Sequence, residues 1–269
     1  MHARESRPVG KSVLLPRRLT SLATLLLVAC AGAEDSSSPS ESASAIVGDA
    51  LADGEMPAVV RVQLTYADGI STCTGTLIAS RTVLTARHCV ENLRDPESGA
   101  CTIHVFVDRA GRSTNDAQTE RYAAVRCDVL ARSGVLASDT DLATVRLDQP
   151  IVGIRPAALA TEKSPRGHYT AYGYGSFGAP PRLGTPCEHH SDGHKRKASY
   201  DGALGFRFGQ VTCPGDSGGP HFITGTSVVA GITSSGYAIV AAYEVNAGVA
   251  VHRAWIDGQI QAYQAREIR

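Results

Sequence analysis

Short runs in which apolar and polar residues alternate dominate the chain, and they predict β-strands. VVRVQLTY (59–66) alternates and is rich in β-branched residues, as a half-buried strand requires. CTGTLIASRTVLTARHC (73–89) holds two apolar runs joined by Ala-Ser-Arg, a pattern typical of a hairpin. Further strand patterns, separated by the turn signals DPESG and GRSTND, are IHVFVD (103–108), AAVRCDVL (123–130) and LATVRL (142–147).

The second half of the chain continues this pattern and changes period only at its end. Strand-like runs are HYTAYGYG (168–175), SVVAGITSSG (227–236) and YAIVAAYEV (237–245). In the last segment, 251–269, five residues fall on one helical face: Val251, Trp255, Ile256, Ile260 and Tyr263. The sequence therefore predicts an all-β body followed by one C-terminal α-helix.

A polar segment, GTPCEHHSDGHKRKASYDG (184–202), interrupts these runs and is predicted to be a loop. Its residues His189, His190, Asp192 and His194 are of types that bind metals. No predicted strand or helix fixes their geometry, so we expect them to be solvated.

The N-terminal residues are typical of an export signal. Five basic residues precede LTSLATLLLVA (19–29), an apolar run too short to span a bilayer as a mature helix. The following LVAC (27–30) resembles the lipobox of bacterial lipoproteins, in which Cys30 would be lipidated, although an ordinary signal with an incidental cysteine is the alternative. The serine-rich segment 31–45 cannot bury enough apolar surface to fold. We expect a signal peptide at 1–29, a lipidated flexible pro-segment at 30–45 and one protein domain at 46–269.

The balanced charge of the chain argues against nucleic-acid binding, and its cysteine content indicates an oxidising compartment. Lysine plus arginine equals aspartate plus glutamate at 26 each, so overall charge gives no reason to expect nucleic-acid binding. Without Cys30, six cysteines remain, and an even number on an exported chain favours three disulfides. Six cysteines allow fifteen connectivities, and their positions suggest the pairs Cys73–Cys89, Cys101–Cys127 and Cys187–Cys213.

The densest chemical signal is CPGDSGGP (213–220), in which Ser217 is surrounded by glycines. A surface turn would explain this composition. GDSGG also matches the nucleophile elbow of α/β-hydrolases, but that fold needs its acid and histidine downstream of the serine on a parallel sheet. Only 52 residues follow Ser217, and they lack an alternating strand–helix pattern. The elbow interpretation is therefore rejected.

Residues for the opposite chain order, histidine then aspartate then serine, are present upstream. TARHC (85–89) places His88 at a strand end, and DTDLATVRL (139–147) places Asp141 directly before a strand. A serine hydroxyl becomes a good nucleophile when a histidine takes its proton and a carboxylate fixes the histidine tautomer. The chain thus contains every side chain of a Ser-His-Asp triad.

Together these motifs resemble the trypsin/chymotrypsin family of serine proteases over the whole of 46–269. The matching segments are IVGD (46–49), CTGTLI, TARHC, DLATVRL, GDSGGP, GITSSG (231–236) and AWI (254–256). The resemblance implies two antiparallel six-stranded β-barrels, at about 46–150 and 151–269, with the active site between them. It also implies catalysis by His88, Asp141 and Ser217, without a metal or cofactor.

Further roles follow from the same resemblance. The N–H groups of Gly215 and Ser217 would form the oxyanion hole. Proteolysis would create a new amine at Ile46 that pairs with Asp216, so that the enzyme is made as a zymogen. The expected cut follows Ala45, a small apolar residue, and would need another protease or self-cleavage.

The resemblance is less informative about specificity. Val211 matches the base of the primary pocket, while Ser234 and Gly236 match the strand that faces the substrate. A valine at the pocket base cannot recruit arginine or lysine, so we expect cleavage after small or medium apolar residues. Glu244 could restore a basic preference if its side chain reaches the pocket.

The predicted partners are protein or peptide substrates and an activating protease, with membrane contact only through a lipid on Cys30. We expect the zymogen to be exported and lipid-anchored to a bacterial envelope, or secreted, and to be released on activation. The alternative is a catalytically silent homologue that binds partners through the same cleft.

Overall fold

A computed structural model of the protein describes residues 51–109, 111–132, 137–163, 166–178, 187–208, 212–237 and 243–267. Three of the residues singled out above, Cys30, Ile46 and Val211, lie outside this part of the chain. No helix in the described ranges is both long enough and apolar enough to cross a membrane.

The first half folds into a closed antiparallel barrel. Its strands pair in the order β1-β2-β3-β6-β5-β4, and β4 closes the barrel by pairing with β1. The alternating pattern gives each strand one apolar face, and these faces are buried together inside the closed barrel. Val62, for example, is fully buried opposite Cys73 on one side and Val105 on the other. The strands are β1 (Val59–Tyr66), β2 (Gly69–Ala79), β3 (Thr82–Thr85), β4 (Ile103–Val107), β5 (Glu120–Val129) and β6 (Ala143–Leu147).

Two short helical turns interrupt the barrel strands. Helix α1 (Arg87–Val90) follows β3 directly, and a 3-10 turn (Ala137–Thr140) leads into β6. Helix α1 contains His88, and the 3-10 turn ends directly before Asp141, so each carries or adjoins a residue predicted to be catalytic.

The second half forms one seven-stranded sheet. Six strands follow the order β10-β13-β12-β11-β8-β9, and β7 pairs in parallel with the first residues of β12. The sheet therefore differs in detail from the expected six-stranded barrel. Strand β12 is long enough to pair with β7 at its start and with β13 further on. The strands are β7 (Ala158–Leu159), β8 (Gly167–Gly173), β9 (Arg196–Gly202), β10 (Phe206–Phe208), β11 (Pro220–Ile223), β12 (Val228–Tyr237) and β13 (Tyr243–Gly248).

Strand β9 corrects the prediction of a loop over 184–202. Its side chains alternate in exposure, with Arg196, Ala198 and Tyr200 buried. Tyr200 packs against Tyr169 of β8, with 5.6 Å between the ring centroids. The strand was missed because its outward residues are polar and its inward residues include the charged Arg196.

The predicted C-terminal helix is present as α2 (Arg253–Glu267), and Ile256 and Tyr263 bury its inner face. The Tyr263 hydroxyl donates a hydrogen bond to Asp128 of β5 at 2.7 Å. Val251 is 57% exposed because it lies in the preceding 3-10 turn (Ala250–His252), before the helical period begins.

Three disulfide bonds join Cys73 to Cys89, Cys101 to Cys127 and Cys187 to Cys213. These are the pairs that the positions of the cysteines suggested. The first ties β2 to α1, and the third fixes the segment that leads to Ser217.

Candidate active site

His88 and Asp141 form a hydrogen-bonded pair between α1 and the start of β6. The imidazole Nδ1 lies 2.7 Å from Asp141 Oδ2, and the backbone N–H of His88 donates to Oδ1 at 2.9 Å. Two contacts to one carboxylate fix both the position and the plane of the ring. Asp141 is only 7% exposed, whereas the imidazole is 43% exposed, so one edge of the ring remains accessible.

This pairing shifts both pKa values towards the charged forms. Burial disfavours the imidazolium, but the hydrogen bond and negative charge of Asp141 outweigh burial, so the pKa of His88 is raised. Burial also opposes ionisation of Asp141, yet hydrogen bonds from His88 and Ser234 lower the pKa of the carboxyl. The pair therefore favours Asp141 as an anion that accepts a proton-bearing Nδ1.

Ser234 supplies a hydrogen bond that the sequence did not predict. Its hydroxyl is buried and donates to Asp141 Oδ2 at 2.6 Å. The sequence placed Ser234 on the strand that faces the substrate, and nothing in its pattern shows where the hydroxyl points. Ser234 lies at an irregularity in the β12–β13 register, between Thr233 and Ser235.

The turn that carries Ser217 requires its glycines for steric reasons. Gly215 and Gly218 have φ values of +99° and +81°, a region that other residues rarely adopt. A Cβ atom on Gly218 would lie 2.1 Å from Thr85 Oγ1, and one on Gly215 would lie 2.8 Å from Gly175 Cα. The composition of GDSGGP thus follows from a tightly packed turn.

Hydrogen bonds from both halves of the protein hold this turn. Thr74 of β2 donates its N–H to the Ser217 carbonyl at 2.8 Å and its hydroxyl to the Gly215 carbonyl at 3.0 Å. On the other side, Gly218 N–H donates to Thr233 O at 2.8 Å and Thr233 N–H to Gly219 O at 2.9 Å. The barrel and the seven-stranded sheet therefore fix the position of Ser217 jointly.

Ser217 and His88 both adjoin the Cys73–Cys89 disulfide. Cys89 Sγ lies 3.8 Å from His88 Nε2 and 3.7 Å from the Ser217 carbonyl oxygen. The hydrogen bonds of the described residues include none between the Ser217 hydroxyl and His88, and none donated by the N–H groups of Gly215 and Ser217. Within the part of the chain that the structure describes, these two N–H groups therefore have no acceptor.

Comparisons with known proteins assign the chain to a family and to a fold. Residues 45–256 match the sequence model of the family described as Trypsin. The chain belongs to the trypsin family. A solved structure with a similar fold is neuropsin, a serine protease expressed in the limbic system of mouse brain, with a TM-score of 0.57 and 18% sequence identity. The alignment covers 77% of this chain and 96% of neuropsin.

This trypsin-family protein is a serine endopeptidase with an all-β fold. Its Asp216, next to Ser217, is fully buried. The carboxylate accepts hydrogen bonds from Gly175 N–H at 2.8 Å and Cys213 N–H at 2.7 Å. The Cys187–Cys213 bond and Asp216 therefore fix the same turn of this protease.

The strand predicted to face the substrate is β12, where Gly236 pairs with Glu244 of β13 in the backbone register. The pocket base assigned to Val211 lies outside the described residues. What the structure adds is that Ser234, on the same strand, is bound to the buried carboxylate of this trypsin-family site.

Two of the polar residues of the 187–194 segment, Asp192 and His194, pair with oppositely charged or hydrogen-bonding protein groups. His194 Nδ1 lies 2.5 Å from Asp53, and Asp192 accepts a hydrogen bond from Arg196 at 2.8 Å. Over the described ranges, candidate metal-ligand atoms cluster at Cys73, His88 and Cys89. The two sulfurs of that cluster are bonded to each other and are not free thiolates.

Proposed function

We propose that this endopeptidase hydrolyses peptide bonds through a triad of Ser217, His88 and Asp141 and a covalent acyl-enzyme. The observation that carries the proposal is the 2.7 Å contact between His88 Nδ1 and a buried, ionised Asp141. With Nδ1–H donated to Asp141, the neutral ring presents Nε2 as the base. That nitrogen lies beside the disulfide that Ser217 also contacts.

The reaction proceeds in two balanced halves. Ser217 Oγ attacks the scissile carbonyl carbon while its proton moves to His88 Nε2. The proton then passes to the leaving amine as the C–N bond breaks, which leaves an ester on Ser217. Water attacks this ester, again gives its proton to His88, and releases the acid product as the proton returns to Ser217 Oγ. In enzymes without bound substrate, catalytic hydrogen bonds are often long and shorten when the substrate complex forms, so the proposed contact between Ser217 Oγ and His88 Nε2 is expected to form with substrate.

The oxyanion formed in each half requires two donors, and we assign these to Gly215 and Ser217. Both N–H groups lie in the glycine-dependent turn, and neither donates to an acceptor among the described residues. Donors that are already oriented stabilise developing charge without reorganisation, typically by about 3–4 kcal/mol each.

We also propose that the enzyme is made as a zymogen and activated by cleavage between Ala45 and Ile46. The carboxylate of Asp216 is buried and accepts two neutral backbone N–H groups. The new amine of Ile46 would pair with this buried carboxylate, and charged groups in a protein interior are tolerated when they are paired. N-terminal sequencing of the active form is expected to begin at Ile46, and another start would contradict this step.

Export and release complete the proposal. The segment up to residue 45 would direct the zymogen out of the cytoplasm, anchored through a lipid on Cys30 or simply secreted. No cysteine lies between Cys30 and Cys73, so a cut after Ala45 would leave no covalent link between domain and anchor. Active enzyme that starts at Ile46 but remains wholly in the membrane fraction would contradict this release.

For specificity we propose small or medium apolar residues before the scissile bond, because Val211 offers no charge to a basic side chain. Glu244 lies opposite Gly236 in the register and is the residue that could reverse this preference. Peptides that differ only in the residue before the scissile bond distinguish the two outcomes.

The deciding experiment uses a fluorophosphonate probe, which reacts with an activated serine. Processed wild-type protein is expected to be labelled and to cleave peptides, whereas Ser217→Ala is expected to do neither, a loss of about 10⁶-fold in kcat. Ser71→Ala, on the exposed start of β2, is the matched control and should keep full labelling. Processed wild-type protein that resists the probe would instead support a silent homologue that only binds partners.

A further inference from the structure

The outer face of the barrel carries an open cleft that the triad does not use. Its volume is about 530 Å³, within the range of ligand-binding sites. We call it the arginine cleft, and its defining residues are Arg61, Phe106, Asn115, Asp116 and Arg121.

The strand register explains why two arginines meet there. Arg61 of β1 lies directly opposite Phe106 of β4, which lies opposite Arg121 of β5. Directly opposite residues point to the same face of a sheet, and the neighbouring Val62 and Val105 point into the core. The Arg61 guanidinium stacks over the Phe106 ring, 4.5 Å from its centroid.

Arg61 is a buried cation whose hydrogen bonds are incomplete. It is 7% exposed, and its N–H groups reach Asn115 Oδ1 at 2.6 Å and the Thr114 carbonyl at 3.2 Å, both neutral acceptors. Its Nε has no acceptor among the described residues. Burial lowers the pKa of Arg61, and the electrostatic effect of Tyr174 opposes this only in part.

The other charges around the cleft leave an excess of positive charge. Arg121 is exposed, and no carboxylate of the described residues lies within ion-pair distance of Arg61 or Arg121. The acidic lining residue is Asp116, whose Oδ1 accepts the Gln118 N–H at 2.9 Å. Arg196 also has a buried Nε without an acceptor, but it is paired with Asp192, whereas no described carboxylate pairs with Arg61.

The cleft adjoins the Ser217 turn through two neighbouring strands. Gln63, which also lines it, pairs with Thr72 of β2. The Thr72 carbonyl lies within contact distance of a Cβ built on Gly215, at 3.5 Å. In the proposed mechanism His88 gives its proton to the leaving amine, so the C-terminal part of a bound substrate lies beside His88. That position is close to α1 and to Cys73 of β2, which is joined to α1 by a disulfide bond.

We propose that the arginine cleft binds carboxylate side chains of an acidic polypeptide segment that follows the scissile bond of the substrate. This rests on the proposed function, because it assigns that position to the substrate. The planar arginine fork matches a carboxylate with two parallel hydrogen bonds. The Phe106 ring adds an apolar surface for the stem of a glutamate.

The binding test uses the full chain carrying Ser217→Ala and calorimetry with a synthetic peptide rich in glutamate. Arg121→Gln is expected to weaken binding about fivefold, and added salt should weaken it further. Asp116→Asn should tighten binding by a similar factor, because it removes a like charge while keeping a turn residue. Arg155→Gln, an exposed arginine outside the cleft, should change nothing.

Two results would overturn the assignment. If a peptide with glutamine in place of glutamate binds equally well, the cleft does not recognise the carboxylate group. If inorganic sulfate binds as tightly as the glutamate peptide, the site takes small oxyanions and not a polypeptide.

A kinetic test separates this proposal from the proposed function. Two substrates share one scissile segment, and one of them carries a glutamate-rich extension on its C-terminal side. Arg121→Gln should raise KM for the extended substrate alone and leave fluorophosphonate labelling unchanged. Normal labelling with no change in KM contradicts the cleft, whereas unlabelled wild-type protein contradicts the triad and leaves the calorimetric result valid.

Discussion

At the scale of single residues, His88 depends on Asp141 for its orientation and for its raised pKa. In the proposed mechanism only the neutral imidazole can accept the proton of Ser217, so kcat/KM should fall as the pH drops through the raised pKa of His88. The midpoint is expected above the ordinary histidine value of about 6.5. A pH profile of kcat/KM measures it, and a midpoint below that value would contradict the assignment of His88 as the base.

The same shift has a consequence for stability. A histidine whose pKa is raised in the folded state stabilises the fold below its unfolded pKa, and this contribution disappears as the pH rises through the folded pKa. Asp141 acts in the opposite sense, since its lowered pKa stabilises the fold above its unfolded pKa and this contribution is lost as the pH falls through the folded pKa.

Ser234 gives a second prediction for a single side chain. Ser234→Ala removes a donor from the buried Asp141 carboxylate and should lower the free energy of unfolding by about 1–3 kcal/mol. Urea denaturation measures this loss. Ser71→Ala, on an exposed strand position, should change the free energy by less than about 0.5 kcal/mol; an equal effect from both variants would contradict the importance of the Asp141 contact.

At the scale of elements, replacing glycine by alanine is expected to have opposite effects at two positions, one in the Ser217 turn and one in α2. Gly218→Ala should abolish labelling of Ser217, because the new methyl group would meet Thr85 in a turn with positive φ. Gly258→Ala, in the exposed part of α2, meets nothing within 4 Å and should raise the free energy of unfolding by about 0.5–1 kcal/mol. Labelling and urea denaturation of both variants test the pair, and a labelled Gly218→Ala would contradict the steric account of the turn.

Most elements could be predicted from the sequence because burial imposes a simple period on apolar residues. Strand β1 is the clearest case, since Val62 and Leu64 alternate with Gln63 and Thr65. Strand β9 escaped prediction because its inward residues include Arg196, which is buried through an ion pair and stacking on Phe177. A pattern of apolar residues cannot show a buried charge whose partners come from elsewhere in the chain.

The same distinction holds for the candidate site. His88, Asp141 and the glycine turn could be located because each lies in a characteristic local motif. The Ser234 hydroxyl could not, because its direction depends on the irregular register between β12 and β13. The arginine cleft likewise needs three strands that are distant in sequence to lie in register.

At the scale of the whole molecule, a buried ion pair joins the barrel to the seven-stranded sheet. Lys195 Nζ lies 3.4 Å from Asp108 Oδ2, and both side chains are fully buried. Lys195→Met should lower the free energy of unfolding by about 3 kcal/mol, because it leaves the Asp108 charge without its cation. The adjacent Lys197 pairs with Glu55 at the surface, so Lys197→Met should cost less than about 1 kcal/mol in urea denaturation.

A third variant excludes loss of packing as the explanation. Lys195→Met combined with Asp108→Asn removes both charges and should recover part of the lost stability. If the double variant is no more stable than Lys195→Met alone, the unpaired charge of Asp108 does not account for the stability lost in Lys195→Met.

The anchoring of the first described residues limits how the proposed activation can proceed. Ala52 donates its N–H to Lys195 O at 2.8 Å, and Gly54 donates to Asp108 at 2.9 Å. After a cut before Ile46, the six steps of chain from Ile46 to Ala52 can extend no further than about 21 Å. A tether this short corresponds to an effective concentration in the millimolar range. In the proposed activation, insertion of the Ile46 amine would therefore be a first-order event whose rate is independent of enzyme concentration, and dilution would not reverse it.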